Sequence, residues 1–468
     1  MFIIFDTETT GLPRDYSAPY SDSKNWPRLV QLAWQIHDIE GNLIDAKNYI
    51  IKPEGFEIPY DTIKVHGIST ERALKEGHDL KEVIIEFNEV IKEHKFLVGH
   101  NVSFDGKIFG AELFRKNIST NILESTELID TKNLSTEYCA IPGKGKGFKW
   151  PSLSELHYKL FNENFESAHN AAADVEATAR CFLELIRIGV IPISVLKWTN
   201  ENLNNFKTKN PERIEAIGLE TKAYDDGDLI TDDIESDIEK ADIDEDIEFT
   251  HLHLHSQYSI LDGLTNIKAL AKKAKKDGMK AVAITDHGNM YGVKEFHQTL
   301  SGQGIKPIIG SEVYMSYRSH KDKEPQDKSS YHLVLLAKNE KGYRNLIKLS
   351  SIGFIDGFYY KPRIDKDLLR EYSEGIIALS ACLGGEIPQK IMKSSVEAAE
   401  ATALEYKEIF GDDFYIEIQR HKTNIPEMNT EVYQDQTFVN DKLIEIANKL
   451  SIKYVATNDV HFLNQDDY

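Results

Sequence analysis

The chain has 468 residues, 41% hydrophobic and 28% charged, the balance of a soluble globular protein with room for two to four domains. No apolar run approaches membrane-spanning length and the opening MFIIF is too short and uncharged for a secretion signal, so a cytoplasmic protein with no membrane partner is expected. The net charge of −21 argues against a nucleic-acid partner, but Asp225–Glu248 alone, with thirteen acidic residues and one lysine, supplies −12 of it and leaves −9 for the rest.

The three cysteines, Cys139, Cys181 and Cys382, are far apart with no CxxC pair, which suits a reducing compartment. The first block runs over residues 1–193. MFIIFD, VQLAWQIHDI and LIDAKNYIIKP read as three strands, the last two joined by the hairpin turn EGN. Asp79–His94 has helical periodicity, FLVGH is a short strand, and Ser103–Asn117 reads as a helix. A short LID strand, a polar GKGKGFK loop and helices over Ser152–Leu160 and Asn170–Ile188 complete a block that predicts an α/β domain on a mixed sheet.

Asp6 and Glu8 in FDTETTGL lie two apart on the first strand, so both carboxylates face one way, which is costly unless a cation lies between them. Asp105, in GHNVSFD, falls in the opening turn of a helix. His169 and Asp174, in AHNAAADVEAT, fall just before and within the first turns of the last long helix. Singly, each of these is an ordinary cap or a solvated helix residue. Four carboxylates and a histidine together can hold two divalent ions, about 3.5–4 Å apart in such sites, and take a proton from an attacking water.

This set, in this order, resembles the DEDDh proofreading exonucleases of the epsilon-subunit group, with a ribonuclease-H-like fold, over about Met1–Leu185. The resemblance implies two Mg²⁺ or Mn²⁺ ions on Asp6, Glu8, Asp105 and Asp174, with His169 as general base. It also implies a nucleotide pocket at Thr9, Gly11, Leu12, His66, Asn101 and Phe104, although Leu12 and Phe104 could equally be core.

Residues 194–248 read as a tail and a linker. The first part, to about Glu220, could be a helical tail packed on the first block. Tyr224–Glu248 is a self-repelling acidic tether by composition, with Ile230, Ile234 and Ile238 leaving open an acidic helix that docks on a partner.

The third block, residues 249–468, opens on THLHLHSQYSILDG. On a strand, His253 and His255 share a face, and neutral imidazole is a common metal ligand. Apolar runs downstream end repeatedly in a ligand type: KAVAITDH at His287, KPIIGSE at Glu312, GIIALSAC at Cys382, KYVATNDVH at Asp459 and His461. Asp262 follows the first strand in a Gly-ended turn, whereas His332 opens its run rather than closing it. Strands alternating with helices predict a parallel barrel whose site lies at the strands' C-terminal ends. The lysine-rich Lys268–Lys280 reads as a solvated outer helix, with a DNA-binding face as the lesser alternative.

FTHLHLHSQYSILDG, AITDHGNMYGV, IKPIIGSEVY, YHLVLLAKN, ALSACLGGEI, YIEIQRH and VATNDVHFLN resemble the polymerase-and-histidinol-phosphatase (PHP) domain, in the version that opens the alpha subunit of bacterial C-family replicative polymerases. The resemblance implies a distorted (β/α)7 barrel. Its nine metal ligands carry over to His253, His255, Asp262, His287, Glu312, His332, Cys382, Asp459 and His461, holding up to three Zn²⁺, Mn²⁺ or Fe²⁺ ions; His251 is not counted among them.

The combined expectation is a metal-dependent 3′→5′ exonuclease acting on DNA 3′ ends, tethered to a PHP domain and to a polymerase core and other replisome subunits beyond this chain. The rival readings are RNA trimming for the first block and, for the second, a scaffold braced by metals, a second nuclease or pyrophosphatase, or a small-molecule phosphatase.

Overall fold

The computed structural model describes residues 1–94, 96–145, 147–163, 170–217, 249–422 and 432–464. They fall into two compact units, Met1–Leu229 and Ile230–Tyr468. The acidic stretch 218–248, with the docking-helix reading of its isoleucines, lies outside the described residues, as does His169.

Unit one is built on five strands: β1 (Phe2–Thr9), β2 (Leu29–His37), β3 (Leu43–Ile50), β4 (Phe96–Gly99) and β5 (Glu127–Asp130), in the order β3-β2-β1-β4-β5. β1, β2 and β3 are antiparallel neighbours; β4 and β5 run parallel to β1. The parity of β1 sorts its side chains into two cores. Phe2 and Ile4 pack with Val175, Ala179 and Phe182 of the helix Ala171–Arg187. Ile3 and Phe5 pack with Phe87 of the helix Leu80–Glu93 and with Ile108 and Phe109 of the helix Val102–Arg115. Burying one such aromatic contributes roughly 1.5–3 kcal/mol, and the covered faces leave all nine residues of β2 buried.

The sequence reading missed four short helices, Tyr60–His66, Thr70–Glu76, Asn121–Ser125 and Thr131–Cys139, the first three with too few turns for an apolar period to register and the last with few apolar residues. The ambiguous tail forms helices Ile193–Leu196 and Asn200–Lys209. Trp198, between them, packs on the rings of Phe2 and Phe206, with centroids 5.8 and 5.6 Å away.

Unit two contains β6 (Ala281–Ile284), β7 (Lys306–Ser316), β8 (Ser330–Ala337), β9 (Phe358–Tyr359), β10 (Lys361–Ile364), β11 (Ile376–Leu379), β12 (Phe414–Ile418) and β13 (Lys453–Ala456). The main path is β13-β12-β11-β8-β7, with β6 and β10 along the other edge of β7 and the short β9 antiparallel to β10. Closure comes from the opening segment. Ala283 N donates to His251 O (2.8 Å) and Thr285 N to Leu254 O (2.8 Å), while His255 N donates to Val460 O (2.7 Å). The ring is therefore the 251–255 segment, β6, β7, β8, β11, β12 and β13, an irregular seven-membered barrel.

Two expectations are corrected here. The 251–255 segment forms no regular strand, only an isolated bridge between Leu254 and Val460, because it bonds each neighbour at few points. β8 runs antiparallel to both β7 and β11, so the barrel is not wholly parallel. The helix Ile267–Lys276 buries Ile267, Leu270, Ala271 and Ala274 and leaves its lysines exposed, as a solvated outer helix does.

Candidate metal centres

At the end of β1, Asp6 and Glu8 share the parity of Phe2 and Ile4 and so face the helix Ala171–Arg187. Asp174 lies in that helix's first turn, and one oxygen from each of the three carboxylates comes within 4.8 Å of the others. Two amides fix the start of this helix. Asn170 Oδ1 accepts from Ala172 N (3.0 Å), and Gln31 Oε1, from β2, accepts from Ala171 N (3.1 Å).

Asp105 arrives from the opposite layer. β1 pairs with β4 only as far as Ile4–Val98, which leaves the next β1 amides open on that edge. The Asp105 carboxylate fills this position, accepting from Thr7 N (3.1 Å) and Thr7 Oγ1 (2.7 Å) at a single oxygen.

Burial, then the charges of Asp105, Asp174 and Glu8, hold the Asp6 carboxyl well above the usual range. Glu8 is raised in the same way by burial and by Asp174 and Asp105. Burial also pushes Asp105 up to about 7, against the opposing hydrogen bonds of Thr7. Crowded carboxylates in this state want a cation, and an all-oxygen donor set suits hard ions such as Mg²⁺ or Mn²⁺.

Around this cluster, Thr9 Oγ1 donates to Gly11 O (2.7 Å), and Gly11 adopts φ +140°, a conformation costly for other residues. His66 is buried against the Thr9 backbone, accepts from Ile68 N (3.1 Å), and is pushed down to about 4 by burial. Leu12 is 73% exposed, so it is not core, whereas Phe104 is half-buried beside the rings of Tyr16 and Trp26. Asn101, at φ +81°, accepts at Oδ1 from Lys132 Nζ (2.7 Å) and donates its N–H to Asp130 Oδ1 (3.1 Å). Asp130, at the end of β5, raises Asp105 further and escaped the sequence reading. Its only signal was a carboxylate closing the short LID strand.

In unit two, Glu312 is the hub. Its carboxylate lies 3.3 Å from His253 Nε2, 3.6 Å from His255 Nε2, 2.6 Å from His287 Nδ1 and 3.0 Å from His332 Nδ1. Asp459, at φ +47°, is a second meeting point, its Oδ1 lying 3.2 Å from His253 Nε2, 3.1 Å from His255 Nε2 and 3.6 Å from His461 Nδ1. Three groups are tight enough to share an ion: His255, His287 and His461; His253, His255 and Asp459; His287, Glu312 and His332.

Of the nine expected ligands, Asp262 and Cys382 fall outside these groups. Asp262 is 3.3 Å from His287 Nε2 and half-exposed; the Cys382 thiol is raised by burial and by Glu312 and Asp459. His332 joins because β8 is reversed. Its first residues lie at the rim where the other strands end, and Tyr314–His332 is a cross-strand pair.

The donors point inward. His253 Nδ1 is held by Glu417 Oε1 (2.7 Å) and His255 Nδ1 by Ser259 Oγ (3.0 Å), so each ring turns its Nε2 lone pair toward the centre. His253 Nε2, His255 Nε2, His287 Nδ1, Glu312 Oε2 and Asp459 Oδ1 are all buried without a hydrogen-bond partner despite their short separations. Such a set costs free energy unless a cation satisfies it, so these residues fit a metal centre. Burial alone would raise Glu312, but His332 and His253 hold it well below the usual range.

The sequence reading also missed the supporting residues. Glu417 is fully buried and accepts from Gln419 Nε2 (2.9 Å) and Thr457 Oγ1. Asp286, next to His287, is not in the centre. It takes Ser256 N (2.7 Å) and Oγ (2.8 Å) and Ser259 Oγ (3.0 Å), fixing the loop that orients His255. The strand parity of Glu417 and Gln419 was the available signal for the first.

Comparison with known proteins agrees with both geometries. Residues 3–182 match the family model described as Exonuclease, and residues 251–421 match the PHP domain. The chain carries an exonuclease domain followed by a PHP domain. Among curated relatives, the DNA polymerase III subunit alpha of Borreliella burgdorferi is 48% identical over 221 residues, 47% of this chain and 18% of that protein. The subunits of Aquifex aeolicus (47% over 227 residues, 47% and 19%) and Helicobacter pylori (45% over 232 residues, 47% and 18%) are similar. The chain thus spans under a fifth of the length of these relatives. E. coli Exonuclease I in complex with a dA16 oligonucleotide matches at 19% identity and a TM-score of 0.33 over 42% of each chain, too weak a likeness to weigh on fold or function. No helix among the described residues is long and apolar enough to cross a membrane.

Proposed function

We propose that the exonuclease unit hydrolyses the terminal phosphodiester of a DNA 3′ end, releasing nucleoside monophosphates, as the proofreader of a polymerase of the alpha-subunit type. The observation that carries this reading is the meeting of Asp6, Glu8 and Asp174 within one ion's reach, with Asp105 brought to the same strand end by Thr7. Asp6, Glu8, Asp105 and Asp174 would hold two Mg²⁺ or Mn²⁺ ions, which would supply the positive charge that makes a water more acidic and offsets the charge on the leaving oxygen. His169 takes the proton from the attacking water. Thr9, Gly11, Leu12, His66, Asn101 and Phe104 seat the terminal nucleotide. DNA is preferred over RNA because 47% of the chain is similar to a DNA polymerase III subunit alpha.

The test follows a 5′-labelled DNA primer with a mismatched 3′ end in Mg²⁺ and in Mn²⁺, beside an RNA of the same sequence. Asp6→Ala/Glu8→Ala should abolish stepwise shortening of the DNA. Intact protein that binds metal yet shortens neither strand would sink the proposal.

For the PHP unit, the inward-facing buried donors favour resident ions, up to three of Zn²⁺, Mn²⁺ or Fe²⁺. We infer a metal-braced barrel that docks the polymerase core; the alternative is a second 3′→5′ nuclease or pyrophosphatase. Digestion that survives Asp6→Ala/Glu8→Ala and disappears with His253→Ala/His255→Ala would select the nuclease.

A further inference from the structure

The loop before the helix Leu153–Phe161 has an organisation that the hydrolytic centre does not require. Two hairpin-like pairings mark it: Pro142 is bridged to Phe148, and Gly143 N donates to Gly147 O (3.1 Å). Its far side presents two unburied aromatics, Phe148 at 45% and Trp150 at 65% exposure. Two exposed rings two residues apart offer flat apolar area that a ligand can cover.

Cations accompany the rings. Lys132 Nζ lies 5.0 Å from the Trp150 ring centroid while it donates to Asn101 Oδ1. Lys144 is exposed and pairs with no described residue; Lys149 is neutralised by Glu155 at 2.6 Å. The segment just after the hairpin is also tied to the start of the helix that bears Asp105. His100 Nε2 pairs with Pro151 O (3.0 Å), and His100 and Asn101 lead directly into the helix bearing Asp105. Trp150, Lys132, Asn101 and Asp130 thus form one run of contacts, and Asn101 is the N-cap residue of the helix that carries Asp105 in its first turn.

Aromatic faces accompanied by lysine ammonium groups, beside the helix that bears Asp105, are what a single strand needs for base stacking and phosphate neutralisation. We infer that Trp150 and Phe148 form a stacking platform for the bases that precede the 3′-terminal nucleotide, with Lys132 and Lys144 on the intervening phosphates. The inference rests on the exonuclease reading and adds a binding surface outside its hydrolytic residues.

Trp150 also reports on itself, since Trp26 and Trp34 are buried and Trp198 is packed against the core. In the full chain silenced by Asp6→Ala/Glu8→Ala, oligodeoxythymidylates should quench the tryptophan emission, increasingly with length up to a few nucleotides. Trp150→Ala should raise the oligonucleotide Kd about tenfold, within the range for losing one stacked base, whereas Trp150→Phe should stay near the parent value. Lys144→Gln should flatten the plot of log Kd against log salt by about 0.7, one single-strand phosphate contact.

On the unsilenced chain, the p-nitrophenyl ester of thymidine 5′-monophosphate separates the two readings, because it occupies the centre without reaching the hairpin. Trp150→Ala should leave ester hydrolysis unchanged and raise KM for a long oligonucleotide. Oligonucleotide binding unaffected by Trp150→Ala overturns the platform, and so does loss of ester hydrolysis in step with loss of oligonucleotide digestion. An intact chain that fails to hydrolyse both substrates overturns the exonuclease reading, while the binding arm still judges the platform.

Discussion

His332 Nδ1 lies 3.0 Å from Glu312 Oε1, across two neighbouring strands that run in opposite directions. A barrel of uniformly parallel strands would carry the opening residue of a strand to the far end of the ring. The reversal of β8 is therefore what completes the group of His287, Glu312 and His332. Glu312→Gln removes the charge at the hub with little change in volume. Bound metal per chain, read by elemental analysis after dialysis, should fall by more than half, and the melting temperature of the metal-loaded protein should fall with it.

Glu417 is the companion case. It holds the His253 tautomer from behind without facing the centre. Glu417→Gln should keep the fold and lower metal affinity about 10- to 100-fold, as loss of a carboxylate behind a ligating imidazole does. A competition titration with a chromophoric chelator checks it. Unchanged affinity would mean that His253 is oriented by packing alone.

Thr7→Val keeps the shape and the backbone N–H but removes the hydroxyl that donates to Asp105. A hydrogen bond to a charged group is worth about 1.5–3 kcal/mol, so exonuclease kcat should drop about tenfold or more, with Thr7→Ser restoring most of it.

His66 gives a pH dependence of stability. Its folded value is about 4, below the 6.5 of an unfolded histidine, because burial disfavours the charged ring. The unfolded chain takes up the proton first, so stability is intact above pH 6.5 and declines as pH falls from there toward 4. The full decline is about 3 kcal/mol at 1.36 kcal/mol per pH unit. His66→Gln should flatten that part of a melting-temperature profile; an unchanged slope between pH 6.5 and 4 would contradict it.

Arg363 is fully buried, and its guanidinium donates to the carbonyls of Gly357 (3.2 Å), Asp327 (2.9 Å), His320 (3.2 Å) and Asp322 (2.7 Å). It thereby fixes the β7–β8 connection and the start of the reversed strand. Arg363→Met fills the space but strands those acceptors, and should cost about 3 kcal/mol or more in denaturant unfolding.

The parts of this architecture that repeat a simple period were legible in the sequence. The alternation in FIIFDTET places Asp6 and Glu8 on one face, and the apolar spacing of 171–187 places Asp174 opposite them. His332 was visible as a ligand type, but its place was not, since strand direction depends on hydrogen bonds to β7 and β11 that lie far off in the chain. Asp286 illustrates the reverse difficulty. A carboxylate beside His287 has ligand chemistry, and only the positions of Ser256 and Ser259 show that it serves the loop. Asp105 was found through its helix position, yet the vacancy it fills comes from β4 stopping short, which no local pattern encodes.

The barrel is closed by its first and last described segments, His255 bonding to Val460, and the same two segments supply His253, His255, Asp459 and His461. Ring closure and assembly of the centre thus use the same contacts, which span nearly the whole unit and so carry a large loop-closure cost. An ion that binds only the closed ring draws the chain toward it by mass action. Metal supply during synthesis would then set the yield of folded chain, and chelation would first show as a faster opening of the seam between His255 and Val460.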